Sequence, residues 1–137
     1  MAFELSDVLT PEDRAVIVDG LASYNTKRIG YDDYRALNLV MRNDSGVVIG
    51  GLTGETYWDW FFVDLLWVAE AHRKQKLGSE LLNRAEAEAK ARGCTNAYLD
   101  TFDFQARGFY EKLGYMVFGS LPKYPGEHTR YFLTKAL

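Results

Sequence analysis

Residues Leu65 to Leu82, LLWVAEAHRKQKLGSELL, hold the most constraining pattern in this chain. They open as an apolar run too short to span a membrane. A basic turn follows, His72-Arg73-Lys74-Gln75-Lys76-Leu77-Gly78. The turn feeds a helix on which Leu77, Leu81, Leu82, Ala85 and Ala89 recur at helical spacing. Glu80 with Arg84, Glu86 with Lys90 and Glu88 with Arg92 stand four apart, acid before base, which predicts ion pairs on the remaining faces. Gly93 is the natural stop. The first N–H groups of a helix lack intrahelical acceptors, and the positive end of its dipole points the same way. Arg73, Lys74 and Lys76 add full charges, Ser79 adds a hydroxyl, and Gly78 lets a ligand approach the backbone. The ligand expected here is a phosphate or pyrophosphate.

The flanking segments read as a mixed α/β layer fold. Thr10-Pro11-Glu12-Asp13 is a helix start, Val16, Ile17, Leu21 and Tyr24 give an apolar stripe, and Gly30 is the stop. Arg35–Arg42 and Val47–Thr53 read as strands around the hairpin loop Asn43-Asp44-Ser45-Gly46. Gly50 and Gly51 suggest a bulge or a close backbone contact. Glu55–Asp59 reads as a third strand, Phe61–Val68 as a fourth and Asn96–Thr101 as a fifth. Asp103 is placed to cap a helix with Ala106, Phe109, Tyr110 and Leu113 inward and Gly114 at its end. Tyr115–Gly119 and Arg130–Leu137 are the final strands, joined by a loop with Pro122, Pro125 and Gly126.

With 137 residues, one domain over 1–137 is expected. A net charge of −3 disfavours nucleic acid as a partner, since a basic face is the usual footprint. The lone Cys94 excludes an internal disulfide and fits a reducing cytoplasm. No membrane helix is expected, and no cluster at zinc spacing, so no metal either. Aromatics are 15% of the chain, more than so small a core hides. Some should line a groove or a surface between two copies.

The basic turn resembles the acetyl-CoA signature of the GNAT superfamily of N-acetyltransferases, Arg/Gln-x-x-Gly-x-Gly/Ala. Arg73 takes its first position and Gly78 its last, with Lys76 where the family usually has its first glycine. Downstream, Ala106-Arg107-Gly108-Phe109-Tyr110-Glu111-Lys112-Leu113-Gly114-Tyr115 resembles the family's A-x-x-F-Y-x-K-x-G-F/Y segment. The resemblance covers roughly 47–137. It implies a twisted, mostly antiparallel sheet flanked by helices and splayed between its fourth and fifth strands. It further implies acetyl-CoA as donor and direct transfer to a primary amine of a small molecule or peptide. The basic turn from Arg73 through Lys74, Gln75, Lys76, Leu77, Gly78 and Ser79 would hold the pyrophosphate. The backbone of Leu66, Trp67 and Val68 would pair with the pantetheine arm, Asp103 stands where an asparagine usually touches the donor, and Tyr110 would be the acid for the departing thiol.

For the base that takes the amine's proton, Glu55, Asp59 and Asp64 are candidates. Strand alternation groups Asp64 with Phe62, Leu66 and Val68 unless a bulge shifts the phase. Tyr24, Tyr31, Tyr34, Tyr57, Trp58 and Trp60 are candidates for holding an amine through cation–π contact. Each site residue also has a plainer reading: solvated base, helix cap, core tyrosine or exposed acid. A different class of function, an acyl-CoA-binding sensor without turnover, fits the same donor site.

Overall fold

The computed structural model describes residues 1–137, which divide into two compact units, Met1–Asp33 and Tyr34–Leu137. The first holds one helix, α1 (Pro11–Ile29), with Thr10 Oγ1 accepting from the Asp13 N–H at 3.1 Å and Gly30 closing it at φ 97°. Its apolar stripe of Val16, Ile17, Leu21 and Tyr24 is exposed.

The second unit runs β1 (Arg35–Arg42), β2 (Val48–Tyr57), β3 (Trp60–Val68), a 3₁₀ turn (Glu70–Gln75), α2 (Leu77–Ala91), β4 (Asn96–Phe102), α3 (Arg107–Lys112), β5 (Met116–Leu121) and β6 (Arg130–Ala136). Its six-stranded sheet has the order β1-β2-β3-β4-β6-β5. Only β3 and β4 pair in parallel. Their pairing runs from Trp60↔Asn96 to Val63↔Leu99 and stops, although β3 continues to Val68 and β4 to Phe102. The sheet is therefore open at this joint, as the resemblance implied. The strands counted from sequence as fourth and fifth are β3 and β4, because two expected strands, Val47–Thr53 and Glu55–Asp59, are one continuous β2. Trp58 and Asp59 form the turn into β3 instead, with φ of 45° and 69°. Two successive left-handed residues suit the twist of a hairpin, usually supplied by Asn-Gly, so the sequence carried no such signal.

A bulge in β3 aims the joint. Val63 pairs with Gly54 and Leu65 with Thr53, so Asp64 is the extra residue. Glycine is required opposite it: a Cβ on Gly54 would run into the Phe62 carbonyl oxygen. The bulge corrects the alternation expected around Asp64. Phe61 and Val63 face the core before it; Leu66, packed against the core, and buried Val68 do so after it. Asp64 thus shares its face with Phe62 but not with Leu66 or Val68.

The core lies between the sheet and the buried face of α2. Phe61, Leu52, Leu82, Leu99 and Leu133 are its largest fully buried side chains, each worth on the order of 1.5–3 kcal/mol. Leu81, Ala85 and Ala89 are buried as their spacing predicts. Glu80–Arg84 and Glu88–Arg92 pair as expected. Glu86 does not pair with Lys90. It is buried, accepting from Lys135 Nζ at 2.7 Å and from the Tyr115 hydroxyl at 2.8 Å. A buried carboxylate needs such partners, and these two tie α2 to β6 and to the end of α3. No helix is long and apolar enough to cross a membrane.

Candidate active site

Where β3 and β4 part, a cleft of about 1060 Å³ opens. Val63 and Leu99, the last paired residues, face the core, so Asp64 and Asp100 beyond them turn to the sheet face away from α2. Both line the cleft, as do Val68, Gly78, Phe109 and Tyr110 on the helix side. The opening therefore runs through the sheet from one face to the other. On the β4 side, the edge of β3 from Asp64 onward has no strand partner, which leaves backbone donors and acceptors for an extended ligand.

The basic turn forms the outer wall. Arg73, Lys74, Lys76 and Ser79 all line the cleft. Arg73 Nε donates to the Val68 carbonyl at 3.0 Å, fixing the end of β3 to the turn. Lys76 precedes the first residue of α2 in a left-handed conformation, φ 58° and ψ 24°. This explains why a glycine suits that position: the left-handed region costs a residue with a Cβ about 1–2 kcal/mol. The first N–H groups of α2 face the same space without intrahelical acceptors. The Cα of Gly78 sits between Val68 and Phe109; a Cβ there would meet the Phe109 ring at 3.4 Å.

Tyr110 closes the inner end. It is only 8% exposed, lies edge-on to Phe109 and Tyr115 at ring distances of 5.1 and 6.0 Å, and its hydroxyl makes no hydrogen bond within the protein. Burial first, and the nearby Asp100 carboxylate second, push its phenol up to about 12. It therefore holds its proton at every physiological pH, which suits a donor and not a base. Asp100 is itself neutralised by Arg130, with Nη2 2.8 Å from Oδ1. Thr101 Oγ1 and the Phe102 N–H both donate to Gln105 Oε1, at 3.1 and 2.9 Å. That pair of bonds folds the chain between β4 and α3 and so sets where Tyr110 sits.

An anion-ready helix start, an open strand edge and a buried, protonated phenol now meet in one cleft. Residues 5–115 match the model of the acetyltransferase (GNAT) family.

The chain belongs to the GNAT family.

It is 46% identical over 121 residues to an acetyltransferase of Agrobacterium fabrum, covering 88% of each chain. It is 45% identical over 95 residues to the blasticidin-S acetyltransferase of Streptomyces morookaense, 69% of this chain and 70% of that one. A crystal structure from Agrobacterium tumefaciens superposes with a TM-score of 0.93 at 42% identity over 100% of both chains. This GNAT protein is thus an acetyl-CoA-dependent acetyltransferase.

Within the GNAT frame, the donor residues read from sequence fall into two groups. Leu66, Trp67, Val68, Arg73, Lys74, Lys76, Gly78, Ser79 and Tyr110 line the cleft; Gln75, Leu77 and Asp103 do not. Asp103 is also not the cap of α3, which starts at Arg107 without a side-chain cap. Its carboxylate accepts from the Thr129 N–H at 2.8 Å and meets His128 Nδ1 at 2.7 Å, so it anchors the loop before β6. The Thr129 bond, ahead of the His128 contact, holds it below the usual carboxylate range. Of the acids put forward as bases, only Asp64 reaches the cleft. Asp59 lies in the β2–β3 turn, at the opposite end of β3. Glu55 lies on β2, hydrogen-bonded by the Tyr34 phenol. Cleft residues the sequence did not single out as site residues are Leu65, Asp100, Thr101, Phe104, Gln105, Ala106 and Phe109. Phe109 was readable as the aromatic beside Tyr110 in the second motif. Asp100 resembled any polar residue alternating along a strand.

Proposed function

We propose that this acetyltransferase moves the acetyl group of acetyl-CoA directly to a primary amine of a small molecule. The carrying observation is Tyr110: a buried phenol without a protein partner, raised to about 12, at the inner end of a cleft whose outer wall is the basic turn. In this reading Arg73, Lys74, Lys76 and the first turn of α2 take the pyrophosphate. The unpaired edge of β3 at Leu66 and Trp67 takes the pantetheine amides. The amine nitrogen bonds to the thioester carbonyl carbon. The C–S bond breaks with its electron pair on sulfur, and Tyr110 gives sulfur its proton. Asp64, in the bulge, takes the proton the ammonium must lose before attack, the second proton leaves the nitrogen to solvent as the amide forms, and solvent returns one to Tyr110. No covalent enzyme intermediate is needed, and buried Cys94 belongs to the core.

The relative that acts on blasticidin-S supports a small-molecule acceptor. The Asp64 carboxylate at the sheet side of the cleft, which no ion pair of the protein neutralises, favours a cationic one. The test is a panel of polyamines, amino sugars, aromatic amines and lysine peptides with acetyl-CoA, read by thiol release and by a mass gain of one acetyl group. Cationic small amines should lead. Acetyl-CoA binding without turnover on any amine would support the sensor and overturn this reading.

A further inference from the structure

Beyond Asp64 and Phe62, the sheet face away from α2 carries a second acidic centre that the transfer chemistry does not use. Glu55 is the cross-strand partner of Phe62, and Phe62 of Tyr98. The Phe62 and Tyr98 rings lie 4.8 Å apart, and Trp60 meets Tyr98 edge-on at 5.8 Å. Tyr34 donates its phenol to Glu55, and its ring meets Tyr57 at 5.8 Å. Glu55 is thus a half-buried carboxylate set among aromatic rings. None of the protein's ion pairs includes it. The contrast with Asp100 is direct, because Arg130 already neutralises that carboxylate. Burial first, then the Glu55 charge, then Asp100 raise the Tyr98 phenol above its ordinary range, so both acids sit close to this ring.

A carboxylate set beside aromatic rings is a chemistry that holds an ammonium or guanidinium group: the acid supplies the counter-charge and the rings supply cation–π attraction. The position is also informative. Glu55 lies one strand across from Phe62, and Phe62 lies two residues before Asp64. Strand spacing puts Glu55 on the order of 8 Å from Asp64.

We infer that the acceptor carries two cationic groups: one amine is acetylated at the cleft beside Asp64, and a second ammonium or guanidinium docks on Glu55 among Tyr34, Phe62 and Tyr98. This rests on the acetyl-transfer reading above and assigns Glu55 to specificity instead of proton transfer.

The experiment compares α,ω-diamines of increasing length with monoamines of the same carbon count. For the wild type, a diamine whose nitrogens span roughly 8 Å should exceed its monoamine by about 10-fold or more in kcat/KM, the ratio of one charge-assisted contact, and through KM. Glu55→Gln, its folding checked by thermal unfolding, should bring that ratio close to one. Equal wild-type kcat/KM for both members of a pair overturns the inference while leaving acetyl transfer standing. So does a Glu55→Gln protein that keeps the diamine preference, or one whose kcat drops equally on both substrates. Acetylation of neither amine, with acetyl-CoA still bound, overturns the transfer reading and this inference together.

Discussion

Replacing Lys76 by glycine should raise stability and lower donor affinity at once. Lys76 sits at φ 58° and ψ 24°, immediately before α2. Relieving a left-handed residue returns about 1–2 kcal/mol. Glycine also loosens the unfolded chain, which takes back about 0.4–1 kcal/mol. Strain relief wins, by about 0.5–1 kcal/mol, because the exposed lysine has no packing to lose and makes no side-chain cap. For a chain of this length that is a melting temperature higher by about 2–5 °C. The same change removes one cation from the cleft wall proposed to hold the pyrophosphate. Acetyl-CoA should then bind several-fold more weakly, and its affinity should fall less steeply with salt. Thermal unfolding without ligand and acetyl-CoA titrations at two ionic strengths read the two effects separately. A lower melting temperature would refute the strain argument. Unchanged affinity at low salt would remove Lys76 from the phosphate wall.

Two further substitutions probe the inner end and the bulge. Tyr115→Phe leaves buried Glu86 with Lys135 alone and should cost about 1.5–3 kcal/mol, the value of a hydrogen bond to a charged group, read by chemical denaturation; a change below about 0.5 kcal/mol would show that the carboxylate regains its solvation. Asp64→Asn should lower kcat at neutral pH and recover toward wild type as pH approaches the amine's own value near 10.4; an equal deficit at every pH would argue against proton transfer by Asp64.

What could be read from sequence was whatever neighbours in the chain decide. The α2 stripe, the Gly30 and Gly93 stops, the basic turn and the Phe109-Tyr110 pair all depend on residues within a turn or two. What escaped depends on distant partners. Glu86 matched an exposed acid four before Lys90, and only Tyr115 and Lys135, 29 and 49 residues away, show that it is buried. Asp103 matched a helix cap, yet Thr129 and His128 claim it. The phase of Asp64 hangs on Gly54 across the hairpin, where any side chain would strike the Phe62 carbonyl. The Trp58-Asp59 turn lacked the residues such turns usually use, so two halves of one strand read as two. Asp100 gained meaning only when β4 parted from β3.

The central claim is that Tyr110 donates the proton that releases the thiol. Its hydroxyl has no protein partner, so Tyr110→Phe should shift the melting temperature by no more than about 1–2 °C and leave acetyl-CoA affinity in place. At saturating acetyl-CoA, turnover of the variant should fall by roughly 10²-fold or more. The wild-type kcat should meanwhile show no loss of this acid up to pH of about 10, because a raised phenol keeps its proton beyond the range of an ordinary tyrosine. The decisive measurement is kcat of Tyr110→Phe against wild type on one amine at saturating acetyl-CoA. A drop of two orders of magnitude per folded molecule is the predicted result, and a kcat within a few-fold of wild type contradicts the account.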